Sequence, residues 1–191
     1  MGQDKNTKYS AKSLAFIGLS AALVFAGSWI QIPIPTAINN TRLHLGNVMC
    51  LLAGLLFGPV PGGLAAGIGS GFFDLTNPLY IADAPITFAT KFAMAWICGK
   101  IAWRNGAKGQ SAKQNIPAAA TGAILYLFLY LLKNFVKSYF FLHIALPTIW
   151  IDLTQRAITS GINGLIAAVA AVPLAATLQR ALSRNRIEFQ R

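Results

Sequence analysis

The chain has 191 residues, of which 55% are hydrophobic and 11% charged, and it carries a formal charge of +11. Its mean hydropathy is +0.54. Globular chains are roughly 25% charged, so this composition excludes a soluble enzyme, a disordered chain and a disulfide scaffold, and the chain reads as an integral membrane protein. Cys50 and Cys98 both sit in apolar runs, which suggests neither an oxidising compartment nor a metal site.

Sixteen Lys and Arg face five acids. A basic chain can bind nucleic acid, but that requires its cations on one solvated face. Here they fall in three short polar segments. Lys5, Lys8 and Lys12 precede the first apolar run; Lys100, Arg104, Lys108 and Lys113 flank or fill one mid-chain gap; Arg180, Arg184, Arg186 and Arg191 form the tail. This is the pattern by which Lys and Arg in short loops set topology. It points to anionic lipid headgroups as partners and not to nucleic acid. The apolar stretch from Leu14 runs to Ile34 without a small-residue cleavage site, so it is read as an uncleaved span and not as a signal peptide. Position 6 is Asn6, where a myristoylation signal has Ser or Thr.

Six spans are expected, against the roughly 20 residues needed to cross the hydrocarbon core. Residues 13–32 form the first, ended by Pro33 and Pro35, with IPIPTAINNTR as a loop. Residues 43–57 form the second, up to the turn Gly58-Pro59-Val60-Pro61. Residues 62–75 form a short, glycine-rich third, followed by the polar loop TNPLYIADAP. Residues 85–103, 116–140 and 148–182 complete the set, with a bend expected at Pro173. An even count places both termini on one side, and the three basic clusters agree. Residues 104–115 and the tail after Leu182 are expected to be cytoplasmic, and residues 36–41 and 76–83 outside. The expected domain is a single six-helix unit over 1–191, with basic cytoplasmic ends at 1–12 and 183–191.

Two rows of small residues stand out. Gly63, Gly67 and Gly71 recur every four residues in span three; Gly18, Ala22 and Ala26 do so in span one. Such rows let helix backbones approach closely in lipid, either within this chain or against another membrane protein.

Ionisable residues inside spans are costly and usually line a cavity or pair with each other. Asp74 closes span three. Lys91 lies roughly 9 Å into span four at about 1.5 Å per residue. Lys133, Asn134 and Lys137 share one face of span five, and Asp152 and Arg156 stand one turn apart in span six beside Gln155. All fall in the outer half of the expected topology, which describes a pocket open to the outside and closed below. Each also has a plainer explanation: a structural Asp152–Arg156 pair, or Lys91 and Lys137 reaching outward to headgroups. Trp29, Tyr80, Trp96, Tyr130, Tyr139 and Trp150 are candidates either to stack on a flat ligand or to sit in the interfacial belt. No phosphate-binding loop, serine-protease motif or acidic metal cluster is present in the sequence. His143, near an expected membrane surface, reads as an interfacial residue before a ligand or base.

Over essentially its whole length the chain resembles the substrate-binding S components of energy-coupling factor (ECF) vitamin transporters. The resemblance is strongest over RLHLGNVMCLLAGLLFGPVPGGLAAGIGSGFFDL. It implies an all-α membrane fold of six transmembrane helices with both termini cytoplasmic, in a bacterial or archaeal cell membrane. The implied function is capture of a vitamin or vitamin precursor from outside, with no enzymatic activity and no cofactor. The implied partners are the transmembrane coupling subunit and two ATPase subunits, to which the loaded chain is delivered by toppling in the bilayer. The family's helix-one docking motif, usually two alanines four apart, falls on Gly18 and Ala22. The nearest branch contains riboflavin, pyridoxine and hydroxymethylpyrimidine transporters, with pantothenate and cobalamin as further candidates. Riboflavin members carry Asn and Lys three apart early in helix six, where this chain has Asp152 and Gln155. The expected ligand contacts are Lys91, Asn134, Lys137, Asp152 and Gln155, with Trp96 and Tyr130 as stacking residues, under the loop from Pro33 to Arg42. The alternative reading is a self-sufficient secondary carrier or intramembrane enzyme; against it stand the lack of an inverted repeat and polar groups above the midplane.

Overall fold

The structure, a computed structural model, describes residues 11–184. The expected positions Lys5, Lys8, Arg186 and Arg191 lie outside the described residues. Six α-helices carry the fold: α1 Ala11–Trp29, α2 Gly46–Phe57, α3 Pro59–Leu75, α4 Ala84–Ala102, α5 Ala112–Val136 and α6 Leu146–Arg184.

The segment between α1 and α2 is not the loop that its prolines suggest. It is a β-hairpin, β1 Gln31–Pro35 against β2 Asn40–His44, with Pro33 opposite Arg42 and Pro35 opposite Asn40. Two prolines two residues apart put both missing N–H groups on the same edge of the strand. An antiparallel pair keeps its ladder when that edge faces away from the partner strand. The hairpin takes Leu43 and His44 from the expected second span, so α2 has only 12 residues.

Gly58 ends α2 and Pro59 opens α3. Gly58 adopts φ +82°, a conformation open to glycine at little cost, and its N–H donates to Gly54 O at 3.0 Å. Proline at the first position of α3 forfeits no helical hydrogen bond. Together the pair reverses the chain without a loop. Beyond α5 the helix widens into a π turn over Lys137–Phe141, closed by Leu142 N–H to Lys137 O at 3.1 Å. Pro173 lies inside α6 without dividing it.

Gly63 and Gly67 belong to an internal interface. A Cβ at either would stand 2.9 Å from the ring of Phe92 or Phe88 on α4, so these glycines set the close α3–α4 approach. Gly18 is the opposite case, with no atom within 4 Å of where its Cβ would be. The core between the helices is built from Val24, Leu51, Leu55, Met94, Ala118 and Ala167. Cys50 and Cys98 are buried there as free thiols.

Among the described residues two helices are long and apolar enough to cross a membrane: residues 112–141 and α6. α6 has 39 residues, about 58 Å at about 1.5 Å per residue. α1 and α2 are apolar but shorter. Ile124, Phe128, Ile158, Leu165 and Val169 on α5 and α6 are exposed, an outward apolar belt unlike a water-facing surface of charged side chains.

Candidate ligand-binding site

α4 starts beside Asp83 and ends beside Trp103, 19 helical residues later, so the two ends of the bundle are about 28 Å apart at about 1.5 Å per residue. At the Trp103 end the chain closes on itself. Trp103 Nε1 donates to Leu55 O at 3.0 Å, and Gln179 Nε2 to Lys108 O at 3.4 Å. At the Asp83 end the helices splay around a polar cavity roofed by the hairpin and by residues 79–83.

The hairpin is held down by one face of α6. Ala37 N–H donates to Gln155 Oε1 at 2.8 Å and Ile38 N–H to Asp152 Oδ1 at 3.3 Å. Arg156 reaches the same loop, donating from Nη1 to Asn40 O and from Nη2 to Thr36 Oγ1, each at 3.3 Å. Its Nε donates to Asp152 Oδ2 at 2.6 Å and its Nη1 to Tyr130 OH at 2.9 Å. Two turns further on, Asn163 Oδ1 accepts from His44 N–H at 3.4 Å. Positions 152, 155, 156 and 163 share a face because they recur at helical spacing.

Inside the cavity the charges are mostly paired. Arg42 Nη2 donates to Asp74 Oδ1 at 3.0 Å, with its guanidinium 4.7 Å from the centre of Phe73 and 4.1 Å from that of Tyr80. Asp83 takes two cations, Lys137 at 2.8 Å and Lys133 at 3.1 Å. Burial alone would raise the Asp83 carboxyl, but the hydrogen bond from Lys137 and the charge of Lys133 outweigh it and hold the group below its usual range. Lys91, 3% exposed, donates to Asn47 Oδ1 and lies 3.6 Å from the centre of the Tyr126 ring. Among the described residues, two buried atoms in this region have no hydrogen-bond partner, His44 Nδ1 and Asn47 Nδ2. Among the described residues no three His, Cys, Asp or Glu side chains gather as a metal site.

Of the expected ligand contacts, the cavity wall brings together Lys91, Tyr130, Asn134 and Lys137, and Asp74, Tyr80, Lys133 and Arg156, also singled out from sequence, line it with them. Asn134 Nδ2 donates to Tyr130 O at 2.8 Å. Asp152 and Gln155 stand behind the wall, bonded to the hairpin tip. Trp96 is not in the wall; the Lys100 ammonium lies 4.7 Å from its ring centre, toward the far end of α4. Sequence reasoning did not select Arg42, Asp83, His44 or Tyr126 as contacts. For Tyr126 a signal exists in its spacing: four residues before Tyr130, it stacks on that ring with centroids 5.9 Å apart.

This architecture has relatives. A solved structure of the S component of a bacterial ECF transporter shares the fold with a TM-score of 0.54 and 22% identity, over 93% of this chain and 98% of that one. A UPF0397 protein of Enterococcus faecalis is 40% identical over 71 residues, 37% of this chain and 38% of that protein. An uncharacterized protein of Pyrococcus woesei is 41% identical over 46 residues, 24% of this chain and 30% of that protein. The chain thus spans about a third of the length of the curated relatives it matches. The family model for the ECF-type riboflavin transporter S component matches residues 8–180. The chain belongs to that family, whose members serve transport as binding subunits and are not enzymes.

Proposed function

We propose that the chain captures a small water-soluble vitamin or vitamin precursor in this cavity and hands it to an ECF module made of a transmembrane coupling subunit and two ATPases. One observation carries the reading. In a chain with so few charges, the polar side chains of five helices and a hairpin converge at one end of the bundle, while the other end is closed by backbone and tryptophan contacts. A site built this way admits a ligand from one side only and forms no through-path.

Lys91, Asn134, Lys137 and Tyr130 are the contacts we assign to the ligand. Asp152 and Gln155 act as positioning residues that fix the roof, and Trp96 has no ligand role in this reading. The six helices lie in a bacterial or archaeal cell membrane as a multi-pass unit with the hairpin outside and both termini cytoplasmic. Gly18 and Ala22 form the docking face for the coupling subunit, and delivery occurs by toppling of the loaded chain. The vitamin falls in the riboflavin, pyridoxine and hydroxymethylpyrimidine group, with pantothenate and cobalamin as further candidates.

The test is affinity purification of the tagged chain from its native membranes. The expected result is co-purification of one further membrane protein and two ATPases. Ion-coupled uptake by the lone chain in vesicles, with no such partners recovered, would overturn the reading in favour of a self-sufficient carrier.

A further inference from the structure

We infer that the ligand carries an anionic group, a carboxylate or a phosphate, and that this group docks on the Lys91 ammonium; the inference rests on the capture function proposed above. Five cations line the cavity: Arg42, Lys91, Lys133, Lys137 and Arg156. Three carboxylates answer them. Asp74 pairs with Arg42, Asp152 with Arg156, and Asp83 is shared between Lys133 and Lys137. Among the described residues, Lys91 has no carboxylate within ion-pair distance.

A buried ammonium normally has a charged partner, because desolvation without one is expensive. The two groups that touch Lys91 carry no net charge. They are the Asn47 carbonyl oxygen and the face of Tyr126. Beside it the Asn47 amide nitrogen is buried with no acceptor. Lys91 thus brings a surplus positive charge to the cavity wall, next to an unused N–H donor. An anionic oxygen is the one ligand group that would answer both, through hydrogen bonds strengthened by the charge. A neutral ligand would leave the ammonium uncompensated, and a cationic one would add repulsion from Lys91 and from the shared Lys133–Lys137 pair. Among the candidates named above, pantothenate and the phosphate esters of riboflavin and pyridoxine therefore meet the site, and the free neutral vitamins do not.

The position of Lys91 gives the site its direction. It lies seven residues below Ala84 on α4, about 10 Å in at about 1.5 Å per residue, while Asp83 and its two lysines stand at the entrance. A ligand would therefore enter with its anionic end leading.

The experiment uses the full chain in detergent. Small molecules extracted from chain purified from its native membranes are identified by mass spectrometry. The stripped chain is then titrated with matched pairs differing by one anionic group: nicotinamide and nicotinate, panthenol and pantothenate, riboflavin and riboflavin 5′-phosphate, pyridoxal and pyridoxal 5′-phosphate. We expect an extracted compound that is anionic at neutral pH. We also expect the anionic member of any binding pair to bind about tenfold tighter or more, the size of one charge-assisted hydrogen bond. That preference should vanish in Lys91→Gln and survive in Lys91→Arg, with thermal melting confirming that each variant is folded. A neutral or cationic extracted compound, or a neutral member that binds as well as its partner, overturns the inference and leaves the capture function standing. An anion preference retained in Lys91→Gln overturns the assignment to Lys91. Failure to extract or bind any compound, in a chain that still melts cooperatively, overturns both the inference and the capture function.

Discussion

Arg156 donates from Nε to Asp152 Oδ2 at 2.6 Å, one helical turn back along α6, and the two side chains together fasten a loop more than 110 residues away in sequence. Asp152 is 1% exposed and Arg156 5%, so the pair is shielded from solvent. It joins α5, α6 and the hairpin through Tyr130, Asn40 and Thr36. Removing only the carboxylate strands a buried guanidinium. Asp152→Ala should therefore cost about 3–5 kcal/mol, the usual loss for breaking a buried pair from one side, read as a lower apparent melting temperature. Asp152→Asn with Arg156→Gln should recover part of that loss, because no unpaired charge remains. A double variant no more stable than Asp152→Ala would mean that the contacts of Arg156 to the hairpin, and not the ion pair, hold the assembly.

The row of small residues on α1 makes a separable prediction. Ala11, Ala15, Gly18, Ala22 and Ala26 all lie on exposed surface, and nothing approaches a Cβ at Gly18. Gly18→Leu and Ala22→Leu should leave the melting temperature and ligand affinity of the isolated chain unchanged. Assembly with the coupling subunit, followed by pull-down, should be lost, since a bulky side chain separates backbones that must touch. Normal assembly of both variants would remove α1 as the docking face.

The periodicity that identifies α1 to α6 is visible in the sequence because each helix is an apolar run bounded by proline, glycine or charge. The hairpin is not. Pro33 and Pro35 read as breakers, and their compatibility with a strand depends on which edge of the hairpin meets the partner strand, a relation made only after folding. The same distinction separates the site residues. Lys91, Asn134 and Lys137 could be found because a polar group in an apolar run is conspicuous wherever it points. Asp152 and Gln155 were equally conspicuous, but their partners are the backbone N–H groups of Ile38 and Ala37, which no side-chain pattern announces. Tyr126 shares the run LYLFLYLL with Tyr130, and the sequence signal for it is that spacing of four, which puts the two rings on one face.

The topology can be read with cysteines placed by the structure. The native Cys50 and Cys98 are buried, so they should stay silent toward an impermeant thiol reagent. Ala37→Cys and Ala82→Cys are exposed positions on the hairpin and on the residues after α3; Gln110→Cys is exposed at the other end. Gly109 is unsuitable, since it has φ +73° and a Cβ there would collide with Leu55 O. Intact cells should be labelled at 37 and 82 and spared at 110, where labelling should require permeabilisation. The reverse pattern would invert the orientation that the basic clusters set.

Asp83 supplies a prediction in pH. It sits in the short 3-10 turn Ile81–Asp83 before α4 and ties that turn to Lys133 and Lys137 on the far wall of the entrance. Its carboxyl is held below the usual range in the folded chain. A depressed carboxyl contributes stability that is complete above the pH where the unfolded group titrates, about 4 for aspartate. The contribution is lost as pH falls through the lower folded value. The closing of the entrance should therefore be indifferent to pH between about 5 and 8 as far as this residue is concerned, and should fail only in stronger acid. Asp83→Asn should show faster release at every pH above the acid step, and no acid step of its own, because the amide cannot hold two ammonium groups together; in stronger acid the two proteins should release alike. The measurement is the release rate of a bound compound from the full chain across this range at fixed ionic strength, with melting recorded alongside to separate opening from unfolding. An acid step that persists unchanged in Asp83→Asn would assign the closure to another group. A release rate that is the same in both proteins at neutral pH would show that the Asp83 bridge does not guard the entrance.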